Sequence, residues 1–270
     1  MADHIRSGTV SPFAGAGSPE INRSVTAATY WSNFRYIITI SFFPGFPSST
    51  KIKDTVWQSE SYVRPVFAPL HRCFRSHFNI APGSTNPVIV AHERAENVMM
   101  QWGLVPNWAR DITAIHRLIN ARAENFKEKP IFRDLLRTKR CLVPASGFFE
   151  WKQEWGQKIP FYFYVKNDPV FAFAGLYDVW HNPAGTTLAT YTIITTPANS
   201  TVAPIHRRMP AILRQEDEIR WISHYPLTAE EMQRILAPYP TELIEHNPVS
   251  DRVNNMREDD ERVIQPLRGL

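Results

Sequence analysis

The hydrophobic positions of this chain fall mostly into short runs that are closed by proline, glycine or asparagine. Runs of about four to eight β-branched or aromatic residues with such boundaries are typical of strands. They predict strands at 87–91, 98–104, 147–151, 161–165, 170–176 and 191–195. Helical spacing predicts helices at 131–140, 216–223 and 228–236, the last with Thr228 and Glu231 at the spacing of a capping box. Many strands and few helices favour an α+β fold with a curved sheet or barrel core and a few short helices.

The first 75 residues differ from the rest of the chain in composition and in hydrophobic pattern. They are rich in Ser, Thr, Gly and Pro and show no sustained period of 2 or 3.6. The sequence therefore predicts an irregular N-terminal segment over 1–75 and a folded domain over 76–270. The apolar run at 36–43 is far shorter than the ~20 residues of a membrane span and is at most a strand. The start, MADHIRSG, lacks the regions of a secretory signal, which indicates a soluble, intracellular protein.

Composition and charge narrow the class of partner. The 270 residues are 43% hydrophobic and 12% aromatic, which is enough for a sizeable core. Thirty Lys and Arg against 26 Asp and Glu give a net charge of +4, a mild excess that suits a nucleic-acid partner without requiring one. Two cysteines, Cys73 and Cys141, are too few for a disulfide framework. They indicate a reducing compartment and predict no metal site.

Two polar stretches lie where packing alone does not require polar side chains. NIAPG at 79–83 fits a turn that leads into the strand at 87–91. In NARAE at 120–124, a period of two places Asn120, Arg122 and Glu124 on one face. An amide, a guanidinium and a carboxylate together could grip a sugar or a phosphate, because Arg offers a planar fork of donors. An exposed strand edge joined by salt bridges fits the same residues.

Glu150 and His206 are the candidates for proton transfer. Glu150 lies among the aromatic residues of GFFEW at 147–151, and desolvation by such rings raises a carboxyl pKa toward neutrality. A glutamate at a strand end that reaches solvent is the alternative. His206 precedes two arginines in IHRRMPAIL at 205–213, which fits a proton carrier beside an anion-binding pair. A structural histidine is the alternative.

Eight motifs in order resemble the SOS response-associated peptidase (SRAP) family, whose members recognise abasic sites in single-stranded DNA and crosslink to them. Each motif alone is weak, but together they extend over 79–255. They are NIAPG at 79–83, WGLVPNWA at 102–109, NARAE at 120–124, PASGFFEW at 144–151, FAGLYDVW at 173–180, TTPAN at 195–199, IHRRMPAIL at 205–213 and NPVSDRVNN at 247–255.

The resemblance implies an enzyme with autopeptidase and DNA lyase-like chemistry that acts on DNA damage in the SOS response and needs no cofactor. Members of the family use a cysteine at position 2. Its α-amine attacks the aldehyde of the open-chain abasic sugar, and its thiol then closes a thiazolidine ring. By motif match, Asn120 holds the sugar or the α-amine, and Glu150 shuttles protons. His206 lies beside the 3′ phosphate and assists ring opening or strand scission.

The resemblance also implies a set of DNA contacts. Arg122 and Arg208 match phosphate contacts, while Pro82, Trp108 and Trp151 lie in motifs that line the DNA cleft, where such surfaces stack on unpaired bases. Core packing is the alternative for the tryptophans, and we expect a DNA contact from one of the two. The implied partner is single-stranded DNA with abasic sites. We expect a monomer without membrane association, cytoplasmic in a prokaryote and nuclear in a eukaryote.

The N-terminus departs from the family pattern. Position 2 is Ala2, and no stretch of the chain matches the family's Met-Cys-Gly-Arg opening. Cys73 cannot form both bonds of a thiazolidine ring, because its own nitrogen is a peptide amide. Loss of the nucleophile and an incorrect start or frameshift within 1–75 both explain the departure. The alternatives to a crosslinking protein are a lyase that forms no stable crosslink and a single-stranded DNA-binding module without catalysis.

Overall fold

The computed structural model describes residues 37–40, 76–91, 94–112, 117–126, 128–182 and 185–267. Backbone contacts divide the chain into Met1–Phe34 and Arg35–Leu270, and all of these residues belong to the second unit. Ala2 and Cys73, on which the expected N-terminal chemistry depends, lie outside the described residues.

Twelve strands and three α-helices occur in this described part of the chain. The strands are β1 (Ile37–Ile40), β2 (His77–Ile80), β3 (Thr85–Ala91), β4 (Ala95–Trp102), β5 (Asn120–Arg122), β6 (Arg140–Ala145), β7 (Gly147–Glu154), β8 (Gln157–Val165), β9 (Phe171–His181), β10 (Thr187–Pro197), β11 (Arg208–Pro210) and β12 (Ile244–Pro248). The helices are α1 (Pro130–Thr138), α2 (Gln215–Ile222) and α3 (Ala229–Ile235).

Five strands close into a barrel. β10 pairs with β9 on one side and with β4 on the other. β4 pairs with β3, β3 with β6, and β6 with β9, which completes the ring. Closure leaves these strands without a free edge along their paired lengths. The predicted α+β fold with a curved sheet or barrel core and a few short helices is confirmed.

A second, antiparallel sheet has the strand order β12-β8-β7-β1-β2. Only Ser146 separates β6 from β7, so one stretch of chain runs from the barrel into this sheet. β1 pairs with β7 and β2, and it lies within the segment 1–75 for which the sequence predicts little regular structure. The direct step from β6 to β7 ties the position of Glu150 to both sheets.

Two clusters of buried apolar side chains in the described part of the chain contact the helices and the C-terminal segment. The larger cluster contains strand residues of the barrel together with the apolar faces of the helices, among them Phe132 of α1, Trp221 of α2 and Ile235 of α3. A smaller cluster joins β2, β7 and β8 to the C-terminal segment through Phe78, Trp151 and Val253, among others. Burial of such side chains is the main stabilising contribution to the fold.

The predicted elements agree with the structure except at a few ends. Each predicted strand overlaps an observed strand, and each predicted helix overlaps an observed helix. Arg140 was expected to end the first helix, but α1 ends at Thr138 and Arg140 begins β6. Glu124 was expected to continue the alternation of β5, but the strand ends at Arg122 and a 3₁₀ helix (Ala123–Phe126) follows. β4 ends at Trp102, since Gly103 adopts a φ of 119°.

We expect Thr228→Ala to destabilise the protein by about 1 kcal/mol, because Thr228 caps α3. Its hydroxyl accepts from the backbone N–H of Glu231, whose carboxylate accepts in turn from the N–H of Thr228. Urea denaturation of the variant measures this loss. Thr138→Ala is the matched control, because Thr138 is the exposed last residue of α1. Equal stability changes in both variants would contradict the capping role.

Candidate active site

Glu150 is a buried carboxyl group in the middle of β7. Its side chain is 1% exposed, and neither carboxylate oxygen accepts a hydrogen bond from another described residue. Burial raises its pKa well above 4.5, because a low-polarity environment disfavours the charged form. Glu150 therefore keeps its proton at pH values where an ordinary glutamate is ionised, and it can act as an acid.

His206 lies between this buried acid and the solvent. Its Nδ1 is 3.4 Å from Oε1 of Glu150, and its side chain is about a third exposed. The same Nδ1 lies 3.0 Å from the carbonyl oxygen of Arg208 and 3.3 Å from the Arg208 backbone nitrogen, which donates to it. The imidazole is thus held by the backbone at Arg208 and can exchange protons with both Glu150 and the solvent.

The Arg208 guanidinium is held by Glu124 of the 3₁₀ helix after β5 and by Thr195 of β10. It donates to both carboxylate oxygens of Glu124, at 2.9 and 3.0 Å, and to the hydroxyl and carbonyl oxygens of Thr195. The hydrogen bond from Arg208 lowers the pKa of Glu124, so this carboxylate stays charged. These contacts fix the backbone at Arg208 and, through it, the ring of His206. The expected phosphate contact of Arg208 stays a prediction.

β10 brings the predicted site residues of two motifs together near its C-terminal end, with β5 on one edge and β11 on the other. Asn120 and Arg122 of β5 pair with Ile193 and Thr195 of β10, while Arg208 of β11 pairs with Pro197. Asn120 Oδ1 is buried and has no hydrogen-bond partner among the described residues. Arg122 is exposed. One strand therefore carries an open amide oxygen, an exposed cation and the anchor of His206 within a few residues.

The three predicted stacking residues lie in different environments. Trp108 is 69% exposed, in the loop that follows β4. Trp151 is buried, and its indole N–H donates to Asn254 Oδ1 at 3.0 Å. Pro82 is partly exposed in the turn after β2. Of the two tryptophans, Trp108 has the accessible ring that stacking requires, and Trp151 adjoins Glu150 on the opposite face of β7.

The motif at 79–83 is joined to the C-terminal segment. The Asn79 side-chain amide donates to the carbonyl oxygens of Val253, Asn255 and Glu258. Asp259 accepts from the backbone N–H groups of residues 78 and 79 and from His77. The motif is therefore both the expected turn, with Gly83 at a φ of 90°, and a clamp on the chain that follows β12.

Sequence reasoning missed three residues that hold the site. Thr195 accepts from Arg208, Asn254 accepts from Trp151, and Asp178 lies buried within the apolar strand β9. All three lie in motifs of the family resemblance, but no side-chain role was assigned to them. For Asp178 a signal was present, because a carboxylate inside an apolar run requires partners.

Two kinds of feature are absent from the described residues. None of the helices in this part of the chain is long and apolar enough to cross a membrane. The same residues contain no cluster of three or more histidine, cysteine or acidic side chains that could hold a metal ion.

The chain is similar to one protein family over most of its length. A family model described as "SOS response associated peptidase (SRAP)" matches residues 52–256. The match includes all eight motifs and begins before position 76, the predicted start of the folded domain.

Relatives from bacteria and vertebrates agree with this match. The abasic site processing protein YoqW of Bacillus subtilis is 39% identical over 195 residues, which cover 71% of this chain and 87% of that protein. The abasic site processing protein HMCES of Gallus gallus is 32% identical over 227 residues, with 72% and 67% covered. The crystal structure of a protein from Bacteroides thetaiotaomicron superposes with a TM-score of 0.62 at 36% identity, and the superposition covers 68% of this chain and 82% of that one.

Proposed function

The chain belongs to the SOS response-associated peptidase (SRAP) family, and we propose that it binds single-stranded DNA at abasic sites and processes them. The pairing of the buried Glu150 with the partly exposed His206 is the observation that carries this proposal. A carboxyl group without hydrogen-bond partners destabilises a fold, so its presence beside this histidine favours a chemical role. The names of the relatives supply the substrate class, because they are abasic site processing proteins.

A protonated Glu150 suits the chemistry of an abasic sugar. When an amine adds to the aldehyde carbon of the open-chain sugar, a carbinolamine forms, and its hydroxyl must gain a proton before it leaves as water. Glu150 can give this proton and His206 can restore it from solvent. The open amide oxygen of Asn120 can accept a hydrogen bond from the amine or from a sugar hydroxyl. The α-amine that the family resemblance implies lies outside the described residues.

The surrounding residues suit an unpaired strand. Arg122 is exposed and can contact a phosphate, while Trp108 offers an indole face to a base. Glu124 also lies in this region, but its negative charge is balanced by the ion pair that it forms with Arg208. The net charge of +4 favours binding to a polyanion in the same sense.

One oligonucleotide with a single abasic site tests the proposal. Retention, strand cleavage and covalent adduct are measured on the same strand, with an intact strand as control. Preferred retention of the abasic strand together with an adduct or cleavage supports processing. Retention alone would reduce the chain to a binding module, and cleavage without adduct would make it a lyase. Equal binding of abasic and intact strands, with no product, would contradict the proposal.

We expect binding to single-stranded DNA to exceed binding to blunt duplex and to weaken steeply with salt. Arg122→Ala lowers the slope of log affinity against log salt by about 0.7, which is the value for one phosphate contact of a single strand. Fluorescence anisotropy over a salt series measures both effects. Arg133→Ala, a change at an exposed arginine of α1, is the control and leaves the slope unchanged. Equal affinity for both DNA forms at moderate salt would overturn this expectation.

A further inference from the structure

The loop that carries Trp108 is fixed on both sides of this exposed residue. The backbone N–H of Asn107 donates to Asp178 Oδ2 at 2.8 Å. The indole N–H of Trp180 donates to the carbonyl oxygen of Ala109 at 2.6 Å. Both acceptor and donor belong to β9, and Trp108 between them remains 69% exposed. The immediate neighbours of an exposed tryptophan are thus bound to a buried strand.

Further contacts hold the start of the loop. The backbone N–H of Val105 donates to the hydroxyl of Thr190, which lies opposite Asp178 in the β9–β10 register. Val105, Ala109 and Trp180 form a small apolar cluster of buried residues. The loop is therefore anchored at 105, 107 and 109, so little freedom is left to its backbone.

Asp178 is a carboxylate in an apolar strand, and burying it costs free energy unless its oxygens accept hydrogen bonds. It is 2% exposed. Besides Asn107, its donors are the Lys139 ammonium group at 2.7 Å and the backbone N–H of Val179 at 2.9 Å. An apolar side chain could fill the same buried position in β9 without requiring any hydrogen-bond donor. A buried charge that holds an exposed loop points to a role for the geometry of that loop.

We infer that Asp178 and Trp180 are positioning residues that keep the indole of Trp108 in place as a preformed stacking surface for one unpaired base of the bound strand. This inference rests on the proposed function. A surface that is ordered before binding loses less conformational freedom when the base arrives, so affinity rises without any new contact. Asp178 and Trp180 themselves touch no base.

The position of the loop along β10 indicates that Trp108 and Arg122 contact different nucleotides of the bound strand. The loop is anchored at Thr190, and Arg122 pairs at Thr195. Five strand residues correspond to about 17 Å. Stacked nucleotides follow each other at about 3.4 Å, so the two anchors are several stacked steps apart. Trp108 is therefore expected to contact a different nucleotide from the one whose phosphate Arg122 contacts.

A double-mutant cycle with Trp108→Ala and Trp180→Phe tests the inference. Trp180→Phe keeps an aromatic ring in the cluster but removes the N–H that holds Ala109. We expect Trp108→Ala to weaken binding of an abasic single strand roughly 5- to 150-fold. Trp180→Phe alone should weaken it roughly 3- to 10-fold, because the platform loses one tether. In the Trp108→Ala background, Trp180→Phe should have no further effect on affinity, since no platform remains.

Trp221→Phe is the matched control for lost stability. Trp221 is buried, and its indole N–H also donates to a backbone carbonyl, that of Cys141 at 3.0 Å. It should lower the unfolding temperature in the same way as Trp180→Phe while leaving DNA affinity unchanged. If Trp221→Phe weakens binding as much as Trp180→Phe does, general destabilisation explains the loss and the positioning role is wrong.

Two other outcomes separate the inference from the function on which it rests. If Trp108→Ala weakens binding and Trp180→Phe does not, or if the effect of Trp180→Phe persists without Trp108, the positioning role is overturned while the proposed function stands. If Trp108→Ala binds like the unmodified protein, the stacking contact itself is wrong and the positioning role falls with it. The Arg122 salt series and the product assay then judge the proposed function independently.

Discussion

Glu150→Gln is expected to slow the processing of an abasic site by about 10²- to 10⁴-fold, the usual loss when a general acid or base is removed. The amide has the size of the carboxyl group but cannot release a proton at neutral pH. Because Glu150 is buried, the change alters no exposed charge, and affinity for the abasic strand should stay nearly the same. Single-turnover rates at saturating protein separate the two quantities.

The matched control for this variant lies on the same strand. Glu154 is on the same face of β7, is partly exposed and pairs with Lys152, so Glu154→Gln should process at the unmodified rate. His206→Ala should share the rate loss of Glu150→Gln. If both site variants bind poorly and yet react at the normal rate when saturated, the assignment of proton transfer to this pair is wrong.

Glu150→Gln, which slows the reaction, is expected to increase the stability of the fold above the ordinary pKa of glutamate. The pKa of Glu150 is raised in the folded state, so the folded protein holds a proton that the unfolded chain releases above its ordinary pKa of 4.5. The contribution of Glu150 to the stability of the unmodified protein therefore falls as the pH rises above about 4.5. Glu150→Gln lacks this penalty, and its stability relative to the unmodified protein should increase over the same range. Urea midpoints from pH 4 to pH 8 measure the difference.

Arg140→Met is expected to lower the free energy of unfolding by about 3–5 kcal/mol, because several backbone carbonyl oxygens lose their donor and each such loss costs about 1–3 kcal/mol when the group is buried. The Arg140 guanidinium donates to backbone carbonyl oxygens at the end of α1, which are those of Leu136 and Arg137. It also donates to carbonyl oxygens at and beyond the end of α2, which are those of Trp221, Ser223 and Tyr225. Methionine would fill the space but leave these acceptors without a donor.

Urea denaturation checks this expectation. Burial lowers the pKa of Arg140 to about 10, with the positive charge of Arg220 as a second cause, so the group remains charged at neutral pH. Arg140→Lys should recover part of the loss, because an ammonium group keeps the charge but lacks the planar fork. Arg137→Met is the control, since that side chain is exposed on α1, and it should change stability by no more than about 0.5 kcal/mol. A loss below 1 kcal/mol for Arg140→Met would show that the network contributes little.

The strands and helices could be predicted because their apolar runs are long enough to fix a period. β6 could not, since Arg140 follows α1 closely and a basic residue fits the end of a helix as well as the start of a strand. β11 and β12 have only three and five residues, and neither contains an apolar run of the length typical of a strand. Closure of the barrel depends on the β3–β6 pairing and on the parallel β4–β10 pairing, and such long-range contacts leave no local pattern.

The candidate site follows the same division. The aromatic neighbours of Glu150 predicted its desolvation, and its raised pKa agrees with that expectation. Its contact with His206 could not be derived from spacing, because Glu150 lies in β7, His206 lies in the loop before β11, and only the fold brings them together. The three residues of NARAE were predicted to share one face. They divide instead, since Glu124 pairs with Arg208 while Arg122 remains exposed.

The amide of Asn79 contacts only main-chain oxygens of the segment after β12. Every amino acid offers the same carbonyl group, so the contact imposes no choice of side chain at positions 253, 255 and 258. Substitutions can therefore accumulate in that segment over evolutionary time while its path is retained, provided that the one asparagine persists. In an alignment of relatives, position 79 should vary far less than positions 255 and 258, whereas Val253 is also constrained by its burial in the core.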